Sequence, residues 1–205
     1  MKNLILNITA ALLATACNIT IAGELSVLVT DSAGQPLENA VVYAETTNKQ
    51  SMDAPLTAAV EQKGKKFLPL VSVVQTGASL TFPNNDTVRH HVYSFSPAKN
   101  FELKLYSGIT AAPITFDKAG TVVLGCNIHD KMIAFIQVVD TPYFGKSNAL
   151  GKFVFKDLPN AQYVLKTWHY ALAKENVVVE QAVSIKGIEK QTVKININQQ
   201  ALISK

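Results

Sequence analysis

Gly125-Cys126-Asn127-Ile128-His129-Asp130-Lys131-Met132 decides how the rest of this chain is read. The stretch offers a thiol, an imidazole and a thioether at Cys-x-x-His-x-x-Met spacing, and a His90-His91 pair stands upstream. A thiolate, two neutral imidazoles and a weak axial thioether are the donors of a blue-copper centre. The pattern therefore predicts one metal ion held by this loop and by one upstream histidine.

The flanking sequence is β throughout. Ile133 to Val139 after the loop is a strong apolar strand, ended by Asp140-Thr141-Pro142, and the dominant period elsewhere is two, with no sustained period of 3.6. Upstream, Phe67, Pro69, Val71 and Val73 read as one side of a strand, followed by a turn at Gly77 and by Leu80 and Phe82 leading into Pro83-Asn84-Asn85-Asp86. Nearer the start, Leu25, Val27 and Val29 alternate with polar neighbours, Asp31 to Pro36 makes a turn, and Ala40 to Ala44 is a second strand. Beyond Pro142, Gly151 to Phe155 and Leu158 to Leu165 read as a hairpin-like pair, followed by strands over Val177 to Ile185 and around Val193, Ile195 and Ile197. The expected class is all-β.

Composition excludes several functions. Charged residues are 17% and hydrophobic ones 48% of the chain, which argues against disorder. The formal charge is only +4, and the densest basic cluster, Lys63 to Lys66, has no aromatic interleaving, so it reads as a solvated loop and no nucleic-acid partner is expected. No catalytic carboxylate pair, nucleophile elbow or phosphate loop stands out, and the chain reads as a non-enzyme.

Residues 1–23 have the form of a signal peptide: Lys2, an uncharged apolar run from Leu4 to Ala16, and small residues around Ala22 and Gly23. The run is too short for a comfortable transmembrane span, so a periplasmic or secreted protein is expected. Ala14-Thr15-Ala16-Cys17 loosely matches a lipidation box, but Ala14 stands where leucine is usual and a strand follows at once, so a lipid anchor is disfavoured. Removing the leader takes Cys17 with it and leaves Cys126 as the lone thiol. In an oxidising compartment such a thiol is either buried and inert or bound to metal, and the histidine and methionine beside it favour metal.

The order Phe82, Asn85, His90-x-Val92, Phe116-x-x-x-Gly120 and Cys126-x-x-His129-x-x-Met132 resembles the cupredoxins, with the short loop spacing of the amicyanin type. His90 to Ser96 with Gly125 to Asp130 further resembles secreted proteins labelled methylamine utilization proteins. Val27 to Asp31, Gly34, Pro36-Leu37 and Asn39 to Val42, together with Gly151, Phe153, Phe155, Leu158-Pro159, Tyr163 and Leu165, resemble a carboxypeptidase regulatory-like (transthyretin-like) sandwich. Two or three strands cannot bury both faces of a sandwich, so these flanks are expected to combine. The predicted organisation is a discontinuous sandwich over residues 24–47 and 142–198 with a cupredoxin Greek-key domain, residues 58–140, inserted between its strands. In the competing arrangement the N-terminal hairpin joins the copper domain and a C-terminal sandwich packs beside it.

The cupredoxin resemblance selects His90 over His91 as the upstream ligand, making His90, Cys126, His129 and Met132 the expected copper set. Zinc is disfavoured because its fourth ligand is ordinarily not a thioether. His91 occupies a position where small cupredoxins usually carry Asn and is read as a surface or hydrogen-bonded residue; His169 is read as structural. The resemblance implies a type 1 copper protein that carries single electrons between an oxidoreductase, such as a dehydrogenase, and a cytochrome-like acceptor. Contact would be transient, through an apolar patch including Ile128 and Ile133, with Lys131 beside it to steer an acidic partner. The alternatives are a copper carrier or sensor and a non-redox binding module.

Overall fold

The computed structural model describes residues 22–46, 57–108, 112–175 and 177–197. The expected leader, apart from Ala22 and Gly23, lies outside the described residues, as does Cys17. The described chain is all-β, as expected, with a single short 3-10 turn at Tyr170–Leu172 among its described residues.

In chain order the strands are β1 (Ala22–Thr30), β2 (Val41–Glu45), β3 (Ala58–Ala59), β4 (Glu61–Lys63), β5 (Lys66–Leu68), β6 (Val71–Gln75), β7 (Ala78–Thr81), β8 (His90–Ser96) and β9 (Lys99–Tyr106). They continue with β10 (Ile114–Phe116), β11 (Gly120–Gly125), β12 (Ile133–Val139), β13 (Phe144–Lys146), β14 (Lys152–Pro159), β15 (Gln162–Trp168), β16 (Val179–Ser184) and β17 (Ile188–Lys194). One sandwich stacks the sheet β14-β1-β17 on β13-β2-β15-β16, and the other stacks β6-β12-β11-β8-β9 on β10-β7-β3, with β4 and β5 as a separate hairpin.

Each sandwich has its own core. Leu25, Val27, Val29, Val42, Leu165 and Ile185 pack in the first, while Leu80, Phe82, Val92, Phe116, Leu124 and Ile136 pack in the second. The first core draws on residues before Glu45 and after Pro142, and the second on the chain between them. A third cluster forms the seam: Val41, Tyr43 and Trp168 from one side meet Val71, Phe135 and Val139 from the other. Phe135 lies against Trp168 and Tyr170 at centroid distances of 6.2 and 5.5 Å. This double burial explains why β2 and β12 are apolar without alternation. Val42 and Ala134 face the cores while their neighbours Val41 and Phe135 face the seam, so neither strand has a wet side apart from the exposed Ile133 at the start of β12.

Two sequence expectations need correction. The hairpin-like pair is not a ladder: β14 is bonded to β1, whereas β15 is bonded to β2 and β16, so the chain crosses between opposite sheets at Asn160-Ala161. The alternation is alike in both arrangements, and partner choice is set by distant strands. The run from Phe67 to Val73 is likewise two strands, with Phe67 on β5 in the second core and Val71 on β6 in the seam. Its two halves have different partners, β4 and β12.

Candidate metal centre

The candidate site forms where β8 begins and β11 ends. His90, the first residue of β8, is fully buried, and the loop between β11 and β12 carries Cys126, His129 and Met132. A hydrogen bond of 2.9 Å from the Met132 N–H to the His129 carbonyl folds this loop back on itself. Nδ1 of His90 and Nδ1 of His129 each lie 3.9 Å from Cys126 Sγ, and one ligand atom from each of the three residues falls within 4.8 Å of the others. The imidazole rings stand edge to face, 4.9 Å apart. Met132 is 1% exposed and packs in the same core cluster as Cys126.

The spacing suits a single small ion. Bonds of about 2.0 Å to nitrogen and 2.3 Å to sulfur open to roughly 130° across a 3.9 Å gap, wider than the tetrahedral angle of about 109°. The donor set of a thiol and two imidazoles, with a thioether packed nearby, suits copper better than zinc, whose fourth ligand is ordinarily not a thioether.

Polar groups behind His90 set its orientation. Its Nε2 donates to Asp86 Oδ2 at 2.9 Å, which leaves the Nδ1 lone pair turned toward Cys126. Asp86 is itself fixed, accepting from the backbone N–H groups of Lys65 at 2.7 Å and Thr87 at 2.9 Å. The Lys65 amide, followed by the His90 ring, holds its carboxyl down at about 2. Asn84, 3% exposed, braces the approach by donating from Nδ2 to the carbonyls of Val88 and Tyr106 at 3.0 and 2.7 Å, and it accepts from the Asp86 N–H. Asn85, part of the sequence pattern, is exposed and reaches Glu61 instead. Asp86 and Asn84 do not stand out in the sequence. The available signal is the run of Asx residues ending four positions before His90, whose side chains satisfy nearby backbone groups.

The remaining histidines are outside the ligand cluster. His91 faces outward, with Nδ1 2.7 Å from Asn127 Nδ2. Its Nε2 lies 2.9 Å from Glu102 Oε1, near enough to form an ion pair but out of line for a hydrogen bond. His169 is 2% exposed, donates to the Glu38 carbonyl and caps the 3-10 turn by accepting from the Ala171 N–H, both at 3.2 Å. Ile128 and Ile133 are 48% and 45% exposed beside the loop. On the outer face of the five-stranded sheet, a pocket of about 470 Å³ reaches Cys126 between Tyr93, Phe95, Val123 and Ile133.

No family model matches this chain, and no curated protein does. Among solved structures, similarity extends to a purple cupredoxin from Nitrosopumilus maritimus, at 19% identity over 40% of this chain and 99% of that one, with a TM-score of 0.36. The reduced state of an amicyanin mutant matches at 20% identity over 47% of this chain and 99% of that one, with a TM-score of 0.36. A copper-containing nitrite reductase from Thermus scotoductus SA-01 matches at 22% identity, with a TM-score of 0.39, over 55% of this chain and only 28% of that one. All three TM-scores are below 0.5, and the functional reading rests on the side chains of the site.

Proposed function

We propose that this chain is an exported type 1 copper protein that carries single electrons, with His90, Cys126, His129 and Met132 as the residues that would hold the ion. The observation that carries the reading is the placement of two imidazole Nδ1 atoms, each 3.9 Å from one buried sulfur. Bound copper would supply a one-electron couple. Asp86 keeps His90 in the ligating tautomer, and Cys126 and Met132, 5% and 1% exposed, are held by the packing of the second core. With all four donors protein-derived, no position is left open for a substrate, which favours a carrier over an enzyme. The half-exposed Ile128 and Ile133 fit a small, transient docking patch for a dehydrogenase or c-type cytochrome, with Lys131 at its rim.

The same proposal treats residues 58–140 as a cupredoxin unit inserted into a sandwich formed by 24–47 and 142–198, with 1–23 as the leader and the periplasm as the destination. The carboxypeptidase regulatory-like identity of the outer sandwich, and kinship to methylamine utilization proteins, rest on sequence resemblance.

Adding Cu(II) to the purified protein tests the site. Wild type should develop an intense visible thiolate-to-copper band, Cys126→Ala should lack it, and Asp86→Asn should bind copper roughly 10- to 100-fold more weakly. A wild type without the band, or a Cys126→Ala variant that keeps it, would sink the assignment. Copper that leaves readily to a mild chelator would point to a carrier of the metal instead of a carrier of electrons.

A further inference from the structure

We propose that the basic tip of the β4–β5 hairpin, Lys63, Lys65 and Lys66, is a docking site for an acidic protein that exchanges electrons through His90. The proposal rests on the copper reading for its purpose, and it adds a contact face on the His90 side to the patch at Ile128 and Ile133. The hairpin belongs to neither sandwich sheet. Its inner side is anchored: Gln62, 0% exposed, donates from Nε2 to the Phe82 carbonyl at 2.9 Å, and its ladder partner Phe67 packs in the second core. Side chains alternate along a strand, so Lys63 and Lys66, the next pair of the ladder, point the other way, and all three lysines are exposed.

The tip is built against its own local preferences, and each conflict adds positive charge. Lys63 and Lys66 stand directly opposite each other, where like charges repel and destabilise the pair. Lys65, in the turn between them, has φ of 56°, a left-handed conformation that penalises a residue with a Cβ. None of the three is ion-paired among the described residues. The hairpin's own carboxylate, Glu61, accepts from the Asn85 amide at 2.9 Å, and Asp86, which the turn touches, accepts from the Lys65 and Thr87 N–H groups and the His90 ring. Surface features that cost stability mark function, and an acidic partner would neutralise all three cations at once. A narrow two-stranded tip suits a localised acidic patch on a protein, whereas an anionic bilayer rewards a longer basic run of about four to eight residues. Position supplies the rest of the argument. The Lys65 N–H reaches Asp86 Oδ2 at 2.7 Å, and the same oxygen is 2.9 Å from His90 Nε2. The tip backbone is therefore two hydrogen bonds from a ligand imidazole.

The test is the rate at which ferricyanide takes one electron from the reduced, copper-loaded full-length protein and becomes ferrocyanide, followed at low ionic strength by recovery of the thiolate-to-copper band. Changing Lys63, Lys65 and Lys66 together to Gln should slow this anionic oxidant about tenfold, and the difference should fade as salt is raised. The same change at Lys186, Lys190 and Lys194, exposed on the outer sandwich, removes equal charge and should alter the rate less than about twofold. A cationic oxidant, tris(phenanthroline)cobalt(III), should react no more slowly with the tip variant than with wild type. Lys66→Gln alone should slow ferricyanide and also raise the denaturant midpoint, because it relieves the opposed pair. For the occupant, hexaglutamate should shift the amide NMR signals of residues 62–67 in metal-free protein and leave those of the tip variant in place. Equal slowing in both triple variants, or slowing with the cationic oxidant as well, would overturn the proposal. Binding to anionic phospholipid vesicles that the tip variant loses would also overturn it, by making the tip a membrane contact. If wild type shows no copper band but hexaglutamate shifts the tip signals, the copper reading fails and the acidic docking site stands; a copper band with no response to hexaglutamate fails the docking site alone.

Discussion

A buried histidine can serve structure only in one protonation state, and His169 shows the consequence. It accepts through Nδ1 and donates through Nε2, so a second proton would remove the cap on Ala171. Burial pushes its pKa down from 6.5 to about 4. Between these values the unfolded chain binds a proton that the folded one refuses, so stability falls as pH drops from about 6.5 to 4, by up to about 1.4 kcal/mol per unit, and levels off below. Denaturant unfolding of metal-free protein across this range should show a shallower pH slope for His169→Gln than for wild type; equal slopes would remove His169 as the cause. At this scale the sequence was legible where coordination chemistry restricts residue type. Few side chains can bind a soft metal, and the spacing drew attention to Cys126, His129 and Met132, of which Cys126 and His129 meet His90 in one cluster that could hold an ion. The second layer was not legible in the same way, because almost any polar residue can do what Asp86 and Asn127 do. His91 is the informative exception: its place in the pattern was evident from sequence, but its bond to Asn127 emerged only from the fold.

Strand existence was readable wherever period two or an unbroken apolar run left no alternative, as in β1 and β12. Strand partnership was not, since β14 and β15 alternate just as a hairpin would and yet belong to opposite sheets. Turns carry more specific information. Asp31 Oδ1 accepts from the N–H groups of Ala33 and Gln35, both at 2.8 Å, which makes the turn after β1 a product of its own sequence. Gly151, before β14, has φ of 69°, and a Cβ there would meet the Val29 carbonyl oxygen at 2.4 Å. Both the left-handed backbone and the close approach to β1 demand glycine. Gly151→Ala should therefore cost at least about 2 kcal/mol, measured as a fall in the denaturant midpoint, with its main effect on the outer sandwich. A loss below half of that would mean that the turn can relax without disturbing β1.

For the whole molecule, the decisive fact is where the second core leaves and rejoins the first. Strands β2 and β13 are antiparallel neighbours, Tyr43 opposite Phe144, and the Ala44 N–H reaches the Tyr143 carbonyl at 2.9 Å. Replacing residues 58–140 with a short linker should therefore leave a cooperatively unfolding sandwich. Val41, Tyr43 and Trp168 would be uncovered, so the product should also self-associate. An unfolded product, judged by circular dichroism, would count against insertion. Insertion is proposed because neither flanking sequence could close a sandwich alone; the Trp168 seam was not legible there. It needs two faces that only meet after folding. A mechanical property follows from the parallel ladder joining β1 to β17, which runs from Glu24 beside Ile188 to Thr30 beside Lys194. Tension applied at the start of β1 and the end of β17 would act along these strands in shear and strain all of their rungs together. The half that carries Cys126 hangs from the β2–β13 pair, off that line of force, and would remain slack until the ladder tore.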